Sequence, residues 1–72
     1  MKNEQIIKDK VTFFMDEKVE VHVKLADKTF LNGFIERKLK EGVYWFKDRK
    51  LDGVYLFLKQ IYDVDVAREV GV

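Results

Sequence analysis

The chain has no cysteine, no proline and no serine among its 72 residues. Without cysteine it cannot form a disulfide framework, a zinc–cysteine site or a cysteine nucleophile. No apolar run approaches the roughly 20 residues that a membrane-spanning helix needs. The first five residues, MKNEQ, are not followed by the long apolar region of a signal peptide. We therefore expect a cytoplasmic protein that makes no use of a membrane.

Composition bounds the class of protein. Hydrophobic residues make up 47% of the chain and charged residues 38%, which argues against both a disordered chain and a membrane protein. The 14 basic and 13 acidic residues leave a net charge of +1, so the chain as a whole does not attract polyanions strongly. Few Asn and Gln beside many Lys and Glu are typical of hyperthermophile proteins, although the missing proline does not support that origin.

The small size of this single domain raises a question of stability. One core in so short a chain rarely supplies more than about 3–5 kcal/mol. Six Phe, three Tyr and one Trp offer apolar surface that an oligomer would bury. We therefore predict a homo-oligomer.

The hydrophobic pattern predicts one helix followed by five antiparallel strands. Ile7, Val11 and Phe14 recur at helical spacing, and Asn3 is a good N-cap. After this segment the period changes to two, which is typical of half-buried strands. The predicted helix covers residues 3–15, and the predicted strands cover 19–25, 29–38, 43–47, 54–58 and 61–66.

Five short strands joined by tight connections predict an all-β fold, a small and strongly bent antiparallel barrel with an N-terminal α-helix. Gly33 interrupts the second strand and is the expected corner. On the fifth strand, alternation predicts Tyr62, Val64 and Val66 on one face and the two aspartates on the other. The alternative is another SH3-like barrel that stays monomeric or dimeric.

The pattern resembles the Sm-like superfamily, which includes the Lsm proteins and Hfq. Residues 21–35, VHVKLADKTFLNGFI, look like the first Sm motif: alternating apolar residues, an Asp at the turn and a Gly in the next strand. Residues 61–64 look like the apolar end of the second motif. The resemblance implies a ring, in which the fourth strand of one subunit pairs with the fifth strand of the next.

The residues with which this family holds uridine are not matched. The turn is Asp27-Lys28 instead of Asp-Gly, and no Asp or Asn stands near Leu39 or Val43. The Arg-Gly of the second motif is missing near residues 57–58, and the Lys-His of Hfq has no clean match. No functional residue can therefore be carried over from the family.

In an Sm-like ring, the loop between the second and third strands and the connection carrying Lys59 would face the central pore. Repeated around the ring, basic residues there would create a strong local field. Tyr44 lies close by in sequence and could stack on a base. The RNA-binding candidates are Arg37, Lys38, Lys40, Tyr44 and Lys59; the alternative is an ordinary solvated edge that also contains Glu36 and Glu41.

The fourth strand is apolar on both faces, which predicts that another subunit covers it. The interface candidates are Val54, Tyr55, Leu56, Phe57, Leu58, Tyr62 and Val64. Trp45 and Phe46 are also interpreted as core or interface residues. His22, the only histidine, and the pair Asp63 and Asp65 are interpreted as solvated strand residues, since nothing indicates a metal site or a catalytic cleft.

Two functions remain open. The first is a ring-forming module that binds single-stranded RNA without sequence specificity through pore-lining cations. The second is a structural or protein-interaction oligomer that has lost RNA recognition. In both cases we expect no enzymatic activity, no metal, no cofactor and no small-molecule substrate.

Overall fold

The computed structural model describes residues 4–67. It confirms the predicted N-terminal helix and five-stranded antiparallel sheet. The helix α1 spans Glu4–Glu17. The strands are β1 (Val21–Leu25), β2 (Phe30–Lys40), β3 (Val43–Asp48), β4 (Val54–Phe57) and β5 (Ile61–Val66), with a short 3₁₀ helix, η1 (Leu58–Gln60), before β5. The predicted N-cap, Asn3, lies outside the described residues.

The helix covers the sheet through one apolar stripe and packs on β2, β5 and η1. Ile7, Val11 and Phe14 are its buried residues, as their spacing predicts. Its C-terminus is closed by two backbone hydrogen bonds, from the Lys18 N–H to Met15 O and from the Val19 N–H to Phe14 O. This is the Schellman arrangement, and it places Lys18 at a φ of 57°. Because this turn uses residues 18–19, β1 begins at residue 21 and not at residue 19.

The strand order is β4-β3-β2-β1-β5, so β4 and β5 are the two edges of the sheet. The first part of β2 pairs with β1 and the rest pairs with β3, and Gly33 is the position where the two ladders meet. The sheet does not close on itself, and its two edges remain unpaired in the described chain. Bulges after Ile35 and Lys38 interrupt the pairing of β2 with β3.

The connection η1 ties two turns together. The Leu58 N–H donates to Gly42 O at 2.9 Å, in the turn between β2 and β3. The Ala26 N–H donates to Gln60 O at 2.8 Å, from the turn between β1 and β2. A 3₁₀ helix rises only about 2 Å per residue. The three residues of η1 therefore hold the end of β4 close to the start of β5. The sheet must therefore bend strongly at this end.

The core lies between the helix and the inner face of the sheet. All of its buried members are hydrophobic, and no described polar or charged residue joins them. They are Ile7, Val11, Phe14, Val21, Val23, Ile35, Tyr44, Phe46, Leu56, Leu58, Ile61 and Val64.

The faces of β5 differ from the predicted alternation. Ile61 and Val64 are buried, whereas Tyr62 and Val66 are exposed. The register shifts between Lys24 and Leu25, so that Tyr62 has no partner on β1 and the inward phase changes beside it. The prediction that Tyr62, Val64 and Val66 share one face was therefore wrong for Tyr62, whereas Val64 and Val66 lie opposite the inward residues Val23 and Val21 and do share a face.

Glycine is required at position 33 because the neighbouring strand lies too close for a side chain, and not because the backbone there is left-handed. A Cβ atom at this position would overlap the carbonyl oxygen of Lys47 on the paired strand. We expect Gly33→Val to lower the free energy of unfolding by more than about 1 kcal/mol, because the ladder must separate to admit the side chain. Urea denaturation followed by circular dichroism measures the change.

Lys28→Gly is the matched control for that variant. Lys28 has a φ of 72°, a conformation that glycine adopts without strain. This substitution should leave stability unchanged or raise it by up to about 1 kcal/mol. An unchanged denaturation midpoint for Gly33→Val would contradict the close contact with Lys47.

Candidate functional site

The turn between β2 and β3 brings several charged side chains to one end of the molecule. Lys38 and Lys40 end β2, and η1 places Lys59 beside the same turn through the Leu58–Gly42 hydrogen bond. A shallow depression of about 370 Å³ lies here. Its lining residues are Glu4, Glu41, Gly42, Val43, Phe57, Leu58 and Lys59. The structure therefore brings three of the four predicted cations to one end of the sheet.

Glu41 neutralises part of this cluster. Its carboxylate accepts from Lys8 Nζ at 2.7 Å and from Lys38 Nζ at 2.9 Å. The bond from Lys8 and then the bond from Lys38 lower the pKa of Glu41 to about 2. The same contact raises the pKa of Lys8. Lys38 is thus already paired within the subunit, so any polyanion must compete with Glu41 for it.

Arg37 lies apart from the turn. It is the register partner of Trp45, and Lys40 is the register partner of Val43. Both cations are exposed, and neither forms an ion pair within residues 4–67. Lys38 instead pairs with Tyr44, whose ring points into the core. The predicted basic group is therefore divided between the two faces of the sheet.

Tyr44 cannot stack on a base in this structure. Its side chain is only 1% exposed, and it packs in the core with Phe46 and Leu56. Its hydroxyl is buried and has no hydrogen-bond partner among the described residues. The prediction of a stacking role for Tyr44 was therefore wrong, because strand β3 turns residues 44 and 46 inward.

The interface candidates fall into two groups. Tyr55, Tyr62 and Phe57 are 62%, 57% and 42% exposed, so their side chains are available to a neighbour. Val54 is half-buried against the core. Leu56, Leu58 and Val64 are buried within the subunit, which corrects their assignment as interface side chains. Inward residues of an edge strand can contribute only their backbone to a partner.

The remaining chemical candidates make local contacts. His22 Nδ1 lies 2.7 Å from Asn32 Oδ1, and its ring stacks on Phe30 with centroids 4.9 Å apart. Asp63 accepts from Lys10 Nζ at 3.2 Å. Within the described part of the chain, no group of three or more His, Cys, Asp or Glu residues is placed to hold a metal ion.

Comparison with known proteins adds no family assignment: no family model matches the chain, and no curated protein matches it. The resemblance to the Sm-like superfamily therefore stays a prediction based on residues 21–35 and 61–64. In the described residues, no helix has the length and apolar character needed to cross a membrane.

Two features of the site have no signal in the sequence. The pair Lys8–Glu41 joins residues that lie 33 positions apart, and only the folded chain brings them together. The neighbours of Trp45 are a second case. The residues on either side of Trp45 in β3 are apolar. On the neighbouring strand β2, however, its register partner is the cation Arg37. Knowledge of the strand register would have been needed to find either feature.

The ion pairs of Glu41 predict a specific pH dependence. The pKa of this carboxyl is depressed in the folded chain, so its contribution to stability is full above the usual value of 4.5 and is lost as the pH falls towards about 2. We expect wild type to be more stable than Glu41→Gln at neutral pH. Their urea midpoints should converge across this acid range.

Glu36→Gln is the control for this measurement. Glu36 is an exposed carboxylate of β2, the strand that precedes Glu41, and it forms no ion pair within the described residues. Its variant should follow the wild-type pH profile throughout. A Glu41→Gln variant with the same profile as wild type would show that the two ion pairs do not stabilise the fold.

Proposed function

We propose that this chain is an Sm-like module that assembles head-to-tail into a closed homo-oligomeric ring. The observation that carries the proposal is that both sheet edges, β4 and β5, are unpaired among residues 4–67 and that each bears exposed aromatic side chains. An unpaired edge offers free backbone donors and acceptors to another strand. The strong bend of the sheet and the helix across its inner face also support the proposal that the fold is an Sm-like barrel.

The two edges differ in charge, which favours pairing of unlike edges. Strand β5 carries Asp63 and Asp65, whereas β4 contains no charged residue. Pairing β5 with another β5 would bring aspartates of two subunits close together, and like charges across a ladder are destabilising. Pairing β4 with β5 avoids this repulsion and uses both edges of every subunit. Such a heterologous contact forms a ring when its rotation closes.

Complementation between two edge variants tests the assembly. Tyr55→Lys places a cation on β4, and Val66→Lys places one at the end of β5; both wild-type side chains are exposed. Lysine on an edge strand discourages pairing. We expect each variant alone to be monomeric, and their mixture to form dimers through the one intact β4 and the one intact β5.

Light scattering after size-exclusion chromatography gives the masses. Phe13→Lys, which changes an exposed aromatic residue of the helix instead of an edge, should assemble like wild type. A monomeric wild type would reject the ring. Self-association of Val66→Lys as strong as that of wild type would instead indicate pairing between like edges.

The ring would serve as a sequence-independent binder of single-stranded RNA. Lys38, Lys40 and Lys59 lie at one end of the sheet, and Arg37 precedes Lys38 on β2. Repetition around a ring would multiply their field even though the net charge of one chain is only +1. The alternative, an oligomer that serves structure or protein interaction alone, is favoured by the pairing of Lys38 with Glu41 and by the burial of Tyr44.

Charge reversal separates these two functions. We expect oligouridylate and oligoadenylate to bind with similar affinity, since the family's uridine-holding residues are not matched. Affinity should fall by about 0.7 log unit per log unit of salt for each phosphate neutralised. The double variant Lys38→Glu/Lys40→Glu should lose most of this binding and keep the fold, because both side chains are exposed.

The double variant Lys28→Glu/Lys50→Glu is the control, since it makes the same change in charge at exposed positions elsewhere. It should retain most of the affinity. Absence of binding at low salt by wild type would favour the interaction oligomer. We propose no catalytic role, and a cytoplasmic location and a thermophilic source also stay predictions.

A further inference from the structure

Three aromatic side chains form a continuous row on the outer face of β3 and β4. Trp45 and Tyr55 are register partners with ring centroids 5.3 Å apart, and the next centroid, that of Phe57, lies 6.4 Å from Tyr55. The indole of Trp45 lies directly over Gly53, so closely that a Cβ atom there would overlap it. We call Trp45, Tyr55 and Phe57 the aromatic face.

Cations border this face. Arg37 is the register partner of Trp45, Lys47 lies two residues further along β3, and Lys40 is the partner of Val43. No acidic residue occupies a paired outward position of β3, β4 or the adjoining part of β2. Three acidic residues lie nearby in sequence. Glu36 lies in the bulge and has no partner in the ladder, Asp48 accepts hydrogen bonds from the backbone N–H groups of Asn32, Lys50 and Leu51, and Asp52 precedes Gly53.

The outer face of β1 and β5 has a different character. There, Lys24 faces Asp63 and His22 faces Asp65 across the ladder. Lys24 also lies over the ring of Tyr62, with 5.1 Å from Nζ to the ring centroid. Exposed aromatic rings therefore occur on both parts of the sheet. In the described strands, the cations beside the aromatic face have no acidic partner across the ladder, whereas Lys24 does.

We propose that the aromatic face binds single-stranded nucleic acid, with bases stacked on its rings and phosphates held by Arg37 and Lys47. Every base offers a π-face, so such stacking tolerates any sequence. Cations beside the rings can bind the phosphates that connect the stacked bases. A purely apolar partner would gain nothing from these cations. The proposal concerns a different surface from the turn that carries Lys38 and Lys59, and it does not require a ring.

Pairing of β4 with a second copy leaves this surface open. Edge pairing uses backbone groups in the plane of the sheet, whereas side chains stand perpendicular to that plane. Tyr55 and Phe57 can therefore flank a subunit boundary and still present their outward surfaces. In an assembled ring the aromatic face would be repeated once in each subunit.

Trp45 is the only tryptophan of the chain, so its fluorescence reports directly on this face. We expect oligouridylate and oligodeoxythymidylate to quench it saturably at low salt when titrated into the full chain. Equal quenching by both identifies single strands in general as the ligand, and quenching by the ribonucleotide alone restricts the ligand to RNA. Tyr55→Ala and Lys47→Glu should each weaken binding at least about 5-fold.

Two matched controls separate this surface from general effects of charge and aromatic content. Tyr62→Ala removes a tyrosine of similar exposure from the other part of the sheet, and Lys28→Glu reverses an exposed charge in the turn between β1 and β2. Both should bind within about 2-fold of wild type. Light scattering on every variant shows whether Tyr55→Ala has altered assembly; Lys47→Glu, on an interior strand, tests the face without touching the edge.

Three outcomes would overturn the proposal. Binding without quenching of Trp45 would place the nucleic acid elsewhere. Unchanged affinity of both Tyr55→Ala and Lys47→Glu would do the same, and if Lys38→Glu/Lys40→Glu then lost binding, the turn site would stand alone. Quenching that follows protein concentration in the absence of nucleic acid would show that a second copy covers the face. The proposal would be established if the saturable quenching were lost in Tyr55→Ala and in Lys47→Glu while Tyr62→Ala and Lys28→Glu still bound the nucleic acid.

Discussion

The structure depends on the short tie that η1 makes between two turns of the sheet. Its first backbone N–H binds Gly42 O, and its last carbonyl accepts from Ala26. Strand β2 connects the same two turns through 11 residues, whereas η1 connects them through three. Because both segments join the same two turns, the longer strand must curve around the core. The Gly33 contact with the Lys47 backbone permits the close strand approach that goes with this curvature.

This curvature gives the two sides of the sheet separate chemical roles. The inner face supplies a core with no described polar or charged residue. The outer face carries aromatic rings and cations that the subunit itself leaves uncovered. The turn at Glu41 stands between the two, because Lys38 and Lys8 meet there from the sheet and from the helix. One carboxylate thus limits how much positive charge that end of the molecule can present.

The fold was largely predictable from the sequence because most elements have a clear period. Ile7, Val11 and Phe14 identify the helix, and Val21 and Val23 identify a half-buried strand. The helix C-terminus was placed too early because no glycine marks the left-handed position of Lys18. The errors in element boundaries are confined to a few residues at each end, and the error of face at Tyr62 comes from the register shift between Lys24 and Leu25.

The candidate site was less predictable, for a physical reason. Strand β3 reads Val-Tyr-Trp-Phe, and apolar residues in succession do not show which side chains point inward. Tyr44 was therefore assigned to the surface, although it lies in the core. The same ambiguity covered β4, where Leu56 is buried and its neighbours Tyr55 and Phe57 are exposed. The partners of Lys8 and Arg37 depend on register and helix docking, which a single sequence does not encode locally.

The length of β4 limits how tightly the proposed ring can hold. With only four residues, β4 offers a short ladder to the next subunit. Each contact then has a modest association constant, and closure of the ring adds stability, because a subunit leaves a closed ring only when both of its contacts break. By mass action, such an assembly shifts towards free subunits on dilution. The concentration of the protein in its cell would therefore set how much of it exists as rings.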